Sequence, residues 1–166
     1  MSLNRPLWTR DVDHEVAQAI YLYLLLNNRS VPTEVRWSAA RTAFSAHFRA
    51  LMEFFHDGRP SGNDWTRQPC ERPRDVHLSD ALDDGSNPFS RSWAKADLKR
   101  LCDADKLVGH LSARRATRRR MRKEWGSESD WRLLRPKLTR FLKAAANHPD
   151  WYPNALAAAR SAGLVR

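Results

Sequence analysis

Between Pro32 and Asp57 the large apolar side chains recur three or four positions apart, at Trp37, Phe44, Phe48, Leu51 and Phe55. At about 100° per residue these five positions fall within an arc of about 60°. A period of two would scatter them over both faces of a strand, whereas a period of 3.6 gathers them on one side of a helix. Thr33, just after Pro32, is a good N-cap, and Asp57-Gly58 with Pro60 stops the pattern at about residue 56. A stripe this strong has to face a core.

Three further segments carry the same period. Over residues 11–27, Val12, Val16, Ala19, Ile20, Tyr23 and Leu26 share a side, with Asp11 or Asp13 available as N-cap. Leu22, Leu24 and Leu25 widen that surface, so the helix is either central or pairs with another chain. A third helix is predicted from Ser90 or Ser92 to Trp125, with Leu101, Ala104, Val108 and Leu111 on one side and Gly126 as its breaker. A fourth begins near Ser129 and ends at His148-Pro149, with Trp131, Leu134, Leu138, Phe141, Leu142 and Ala145 as its stripe. Pro136 fits such a helix only near its start or at a kink.

Residues 57–88 hold Pro60, Pro69, Pro73 and Pro88 with Gly58, Gly62 and Gly85, which predicts a long irregular loop. A short helix at about 79–83 is expected within it, with Trp65 and Val76 as pins. Residues 151–165 read as a short alanine-rich helix broken by Gly163. The expectation is all-α: one domain over 1–166, an antiparallel bundle of four main helices (11–147), the irregular loop and a short C-terminal helix. A chain of 166 residues buries enough surface to need neither metals nor disulfides.

Charge divides the chain. Residues 1–83 carry 10 basic and 11 acidic side chains, and residues 84–166 carry 19 and 8. The second part is therefore at +11 while the first is at −1, and a local excess attracts polyanions more strongly than a dilute one. The densest stretch is residues 114–123, where Arg114, Arg115, Arg118, Arg119, Arg120, Arg122 and Lys123 occur with no acid between them. Wrapped on a helix this charge repels itself, and each phosphate partner relieves the repulsion. Trp125 and Trp131 lie close enough in sequence to stack bases, although core packing is the better reading of Trp131. A solvated charged surface or an acidic protein partner would use the same residues.

Individual charged residues add detail. Arg41 lies in the middle of the aromatic stripe of the second helix, so it must reach a carboxylate, a helix end or solvent. Arg49, Glu53 and His56 share another side, where Arg49 and Glu53 are spaced for an ion pair. His47 lies well away from Arg49 on the same helix. Asp103, Lys106, His110 and Arg114 form one polar line on the predicted third helix. There a histidine of near-neutral pKa could exchange a proton beside an arginine that holds phosphate.

Other chemistry lacks its residues. There is no His-Glu-x-x-His, no glycine-rich phosphate loop and no Gly-x-Ser-x-Gly elbow, so no metal and no cofactor is expected. The two cysteines, Cys70 and Cys102, form no Cys-x-x-Cys pair and suit a reducing, cytoplasmic compartment. The longest apolar run, residues 19–26, is far short of the roughly 20 residues of a membrane span. The N-terminus also lacks the order of a signal peptide.

The segment Ala46-His47-Phe48-Arg49-Ala50-Leu51-Met52-Glu53-Phe54-Phe55 resembles the second-helix motif of a group of bacterial helical proteins. Residues 105–114 resemble their other recurring stretch, and Trp131, Leu138 and Phe141-Leu142 their closing helix. The likeness covers about residues 35–145. Those proteins in turn resemble the HEPN (higher eukaryotes and prokaryotes nucleotide-binding) superfamily of four-helix domains that often dimerise. Many of its members are metal-free endoribonucleases of toxin and phage-defence systems, with an Arg and a His separated by four to six residues.

In this chain nine residues separate Arg100 from His110. Arg41 and His47 have five between them, but on the second helix and about 120° apart. The resemblance therefore implies His110 as the family histidine, with Arg114 or Arg49 as its basic partner. Two functions are expected on these grounds: a helical module binding RNA or another polyanion, such as an acidic protein, or a metal-independent endoribonuclease acting through His110. Either would be a cytoplasmic homodimer.

Overall fold

Helix α1 spans Thr9–Asn27 in the computed structural model, which describes residues 7–28, 34–56, 59–60, 69–70, 78–81, 97–101, 104 and 128–165. It starts two residues before Asp11, and its N-cap position, Trp8, gives no side-chain cap. Neither aspartate is its cap, which corrects the sequence expectation. At its other end the Asn27 side chain donates to the Tyr23 carbonyl at 2.8 Å, and Asn28 turns extended. Val12, Val16, Ala17, Ala19, Ile20 and Leu26 are buried.

Helix α2 (Glu34–Phe55) packs along α1 and buries Phe44, Phe48, Leu51, Met52 and Phe55. Four of these belong to the stripe read from the sequence, which is therefore the inward face. Helix α3 is the short Leu78–Ala81, one residue earlier than expected, and seats the buried Leu78. Within the predicted irregular stretch, Arg59–Pro60 and Pro69–Cys70 pair as two-residue antiparallel strands, Arg59 opposite Cys70. Residues 97–101 and 104 are helical, as the third-helix pattern predicts. The rest of that pattern lies outside the described residues, as do Trp65 and Val76.

Helix α4 (Glu128–Ala145) carries Glu128 and Asp130 in its first turn, where acidic side chains meet unpaired N–H groups. Pro136 sits inside the helix and not near its start, the first of the two places the sequence allowed it. Its ring and the Arg132 side chain are both exposed, on the side where water can take the carbonyl the ring leaves without a donor. Helix α5 (Pro153–Ser161) ends at Gly163, whose φ of +65° suits glycine. Leu164 N–H donates to the Ala159 carbonyl at 2.9 Å and Gly163 N–H to the Arg160 carbonyl at 3.1 Å, the pairing that closes a helix on a left-handed residue.

Edge-to-face aromatic contacts lock these helices together. Phe54 of α2 meets Phe141 of α4 at 5.9 Å between centroids, and Phe141 meets Tyr152, at the N-cap of α5, at 5.0 Å. Each such pair contributes about 0.5–1.5 kcal/mol beyond its burial. Asp13 supplies a second lock. Its carboxylate is buried and accepts from Ala155 N–H at 2.7 Å and from the Asn154 side chain at 2.8 Å. It thus caps α5 from 141 residues away. The described structure is mostly helical, and none of its helices is long and apolar enough to cross a membrane.

Candidate nucleic-acid interface

Of the residues singled out for chemistry, Arg49 lies among the described ones. His110, Arg114, Arg115, Arg118, Arg119, Arg120, Arg122 and Lys123 lie outside them. Arg49 Nε donates to Glu53 Oε1 at 3.0 Å, the one-turn pair its spacing predicts. His47 meets α1 instead, with Nδ1 2.7 Å from Glu15 Oε2 and its ring edge-on to His14 at 6.0 Å. Arg41 is half-buried, and burial pushes its guanidinium below its ordinary value.

His56 is not on a surface with Arg49 and Glu53 as the helical wheel suggests: it is buried at the end of α2. Its Nε2 lies 3.2 Å from Asp97 Oδ2, and Lys137 Nζ of α4 donates to the same oxygen at 3.4 Å and to the Leu133 carbonyl at 3.3 Å. All three residues are buried. Burial alone would raise the Asp97 carboxyl, but the His56 hydrogen bond and the Lys137 charge outweigh it and hold the group below the usual carboxylate range. One helical turn away Arg100 Nε pairs with the fully buried Asp130 of α4. The 97–101 segment is therefore tied to α4 by two ion pairs and to α2 by a third contact.

These ties join the described segments on either side of the basic stretch. Arg100 and Asp130 are paired, so the residues preceding and following 105–127 lie side by side. In sequence the arginine-rich run ends at Lys123, five residues before Glu128, the first residue of α4.

Helix α4 adds cations that the sequence reading did not single out. Placing Arg132 at 0° and advancing about 100° per residue, Lys143 falls near 20°, Arg135 near −60° and Arg140 near 80°. All four are exposed. The buried Trp131, Leu134, Leu138, Phe141, Leu142 and Ala145 occupy the opposite arc, from about 180° to 280°. Lys137 lies between the two, near 140°, and turns inward to Asp97. Arg132 makes a loose, exposed contact with Glu128 at 3.5 Å. No carboxylate among the described residues pairs with Arg135, Arg140 or Lys143. The signal was in the sequence: cations at 132, 135, 140 and 143 stand across the wheel from the apolar stripe.

Trp131 is a core residue, stacked on Tyr23 at 4.0 Å between centroids, and not a base platform. The Tyr23 hydroxyl donates to Glu128 Oε2 at 2.9 Å. Burial and this hydrogen bond raise the phenol to about 12. Trp125 lies outside the described residues. No group of three metal-binding side chains occurs among the described residues. Comparison with known proteins finds no matching family, no similar curated protein and no similar solved structure.

Proposed function

We propose that this chain is a helical module that binds RNA, or another polyanion, through the arginine-rich stretch at 114–123. The observation that carries the reading is the arrangement of charge around that stretch. Seven cations in ten residues occur without an acid, between two segments cross-tied by Arg100–Asp130 and Asp97–Lys137. The framework also engages its inward carboxylates elsewhere: Asp13 at the end of α5, Glu15 with His47, and Glu53 with Arg49. A dense positive segment favours phosphate partners and speeds encounter with them.

The finer architecture belongs to the same proposal. In it α1, α2, α4 and a helix through 97–104 form an antiparallel four-helix bundle, related in plan to HEPN domains, in a cytoplasmic homodimer. The half-exposed Tyr21 and Leu25 of α1 support pairing with a second copy. The endoribonuclease reading adds catalysis by His110, with Arg114 and Arg49 on the phosphate. What favours it is that Arg114 opens the run and His110 precedes it by four residues in sequence.

The test is RNA binding across a salt series for the wild-type chain and for R118Q/R119Q/R120Q/R122Q. Binding that weakens with salt, and a variant that loses most of that dependence, is the expected result. Binding insensitive to salt refutes the proposal. In the same preparation, H110A separates the readings: loss of RNA cleavage with unchanged affinity supports catalysis, and no cleavage by the wild-type chain refutes it.

A further inference from the structure

We infer that the outward face of α4 is a second phosphate-contacting surface, on which Arg132, Arg135, Arg140 and Lys143 hold a nucleic-acid backbone by charge without reading its bases. The inference rests on the binding function proposed above and extends it to residues outside the arginine-rich run.

Residues 131–147 contain five cations and no acid. Only Lys137 is used in the interior, where it meets Asp97. The other four stand on one exposed arc of about 140°, opposite the core. Helix stability does not account for this pattern. Lys143, in the last turn, gains from the negative end of the helix dipole, but Arg132, Arg135 and Arg140 sit too far from it to do so. The pairs 132/135 and 140/143 are each three residues apart, where like charges repel by a few tenths of a kcal/mol. A ligand with repeating negative charge converts that cost into attraction. From Arg132 to Lys143 the cations extend over about 16 Å of helix, enough to follow several phosphates of one strand.

The face also distinguishes between polyanions. A protein partner gains affinity chiefly from apolar and aromatic anchors at the centre of its interface. Here the exposed side chains among the cations offer only Pro136 as an apolar group. Nor does the arc between Arg132 and Lys143 hold an aromatic or amide side chain to stack on or bond to base edges. Contacts confined to phosphate position a strand and carry no sequence information. Along the chain this helix follows the arginine-rich run, starting five residues after Lys123.

The experiment compares wild-type chain, R135Q/R140Q/K143Q and the run variant R118Q/R119Q/R120Q/R122Q, with labelled polyuridylate and polyadenylate of equal length over a salt series. For single strands, log affinity falls with log salt by about 0.7 per phosphate contact, so losing three contacts lowers the slope by about 2. The same relation gives roughly 100-fold weaker binding at 0.1 M salt, with the curves converging near 1 M. Both polymers are expected to lose equally, and R135K/R140K is expected to keep the wild-type slope. A triple variant that is folded by circular dichroism and keeps the full slope overturns this inference alone. A wild-type chain with no salt-dependent binding overturns the function it rests on. Loss confined to one polymer overturns the absence of base reading, and displacement of RNA by polyglutamate at equal charge overturns the choice of nucleic acid.

Discussion

Replacing Asp97 with alanine tests whether the buried polar cluster organises the fold. The carboxylate receives His56 and Lys137 at 3.2 and 3.4 Å on one oxygen, and all three residues are buried. Breaking a buried ion pair by removing one partner costs about 3–5 kcal/mol, because the other charge is stranded. One feature of this site favours the lower end: Lys137 keeps the Leu133 carbonyl at 3.3 Å. The expected loss is therefore about 3 kcal/mol, which for a chain of this length lowers the melting midpoint by about 6–12 °C.

Urea unfolding of D97A, K137M and the double variant provides the assay. Coupled residues are expected to give a double variant less destabilised than the sum, by about 1–3 kcal/mol. The pH dependence adds an independent sign. The folded Asp97 carboxyl lies below its unfolded value, so its stabilisation is present above the ordinary carboxylate range and lost as pH falls through the depressed folded value. Wild-type stability is expected to fall on acidification, and D97A to fall less steeply. A D97A chain destabilised by less than about 1 kcal/mol, additive with K137M and as acid-sensitive as wild type, would refute the reasoning.

Asp13→Ala is expected to cost about 2–4 kcal/mol in urea unfolding, since it removes the cap of α5 and leaves the buried Ala155 N–H without its acceptor. Trypsin is then expected to cut near Arg160 sooner than in wild type. Tyr23 is expected to ionise near pH 12 in an absorbance titration, with E128Q lowering that value by removing the hydrogen bond and charge but not the burial. Because the folded phenol is the weaker acid, its stabilising effect is present below about pH 10 and lost as pH rises toward about 12. Gly163→Ala is expected to destabilise by about 1 kcal/mol through backbone strain alone, since an added methyl group would meet nothing within 4 Å. A thermal melt measures it.

What the sequence reveals about this fold depends on range. The stripes of α1, α2 and α4 are visible because a helix face repeats within a few residues, and Gly163 is visible because only a left-handed position needs it. The role of Asp13 is not visible. It sits one turn into α1, where any aspartate looks like a local cap, and its partners are 141 residues away. His56 shows the same limit. On the wheel it joins Arg49 and Glu53, but at the helix end it meets Asp97, 41 positions further along. Pro136 is tolerated inside α4 because its side faces water, which composition does not tell. The α4 cations are a different case: their spacing across from the apolar stripe is legible in the sequence, although the denser run at 114–123 is the stronger charge signal.

The internal ion pairs also separate stability from binding in a way that can be tested. In residues 84–166 the pairs Asp97–Lys137 and Asp130–Arg100 each withdraw one acid and one base from the outside. The net excess stays at +11, yet the acids left to oppose the remaining 17 cations fall from eight to six. Interior pairing thus concentrates the positive field without changing net charge. It follows that D97A, measured where it remains folded, is expected to keep the wild-type salt slope for RNA while losing stability. R135Q/R140Q/K143Q is expected to do the reverse, since exposed substitutions of this kind usually move stability by no more than about 0.5 kcal/mol each. If both variants lose slope and stability together, the interior pairs and the outer cations act as one unit, and the division of labour argued from their burial is wrong.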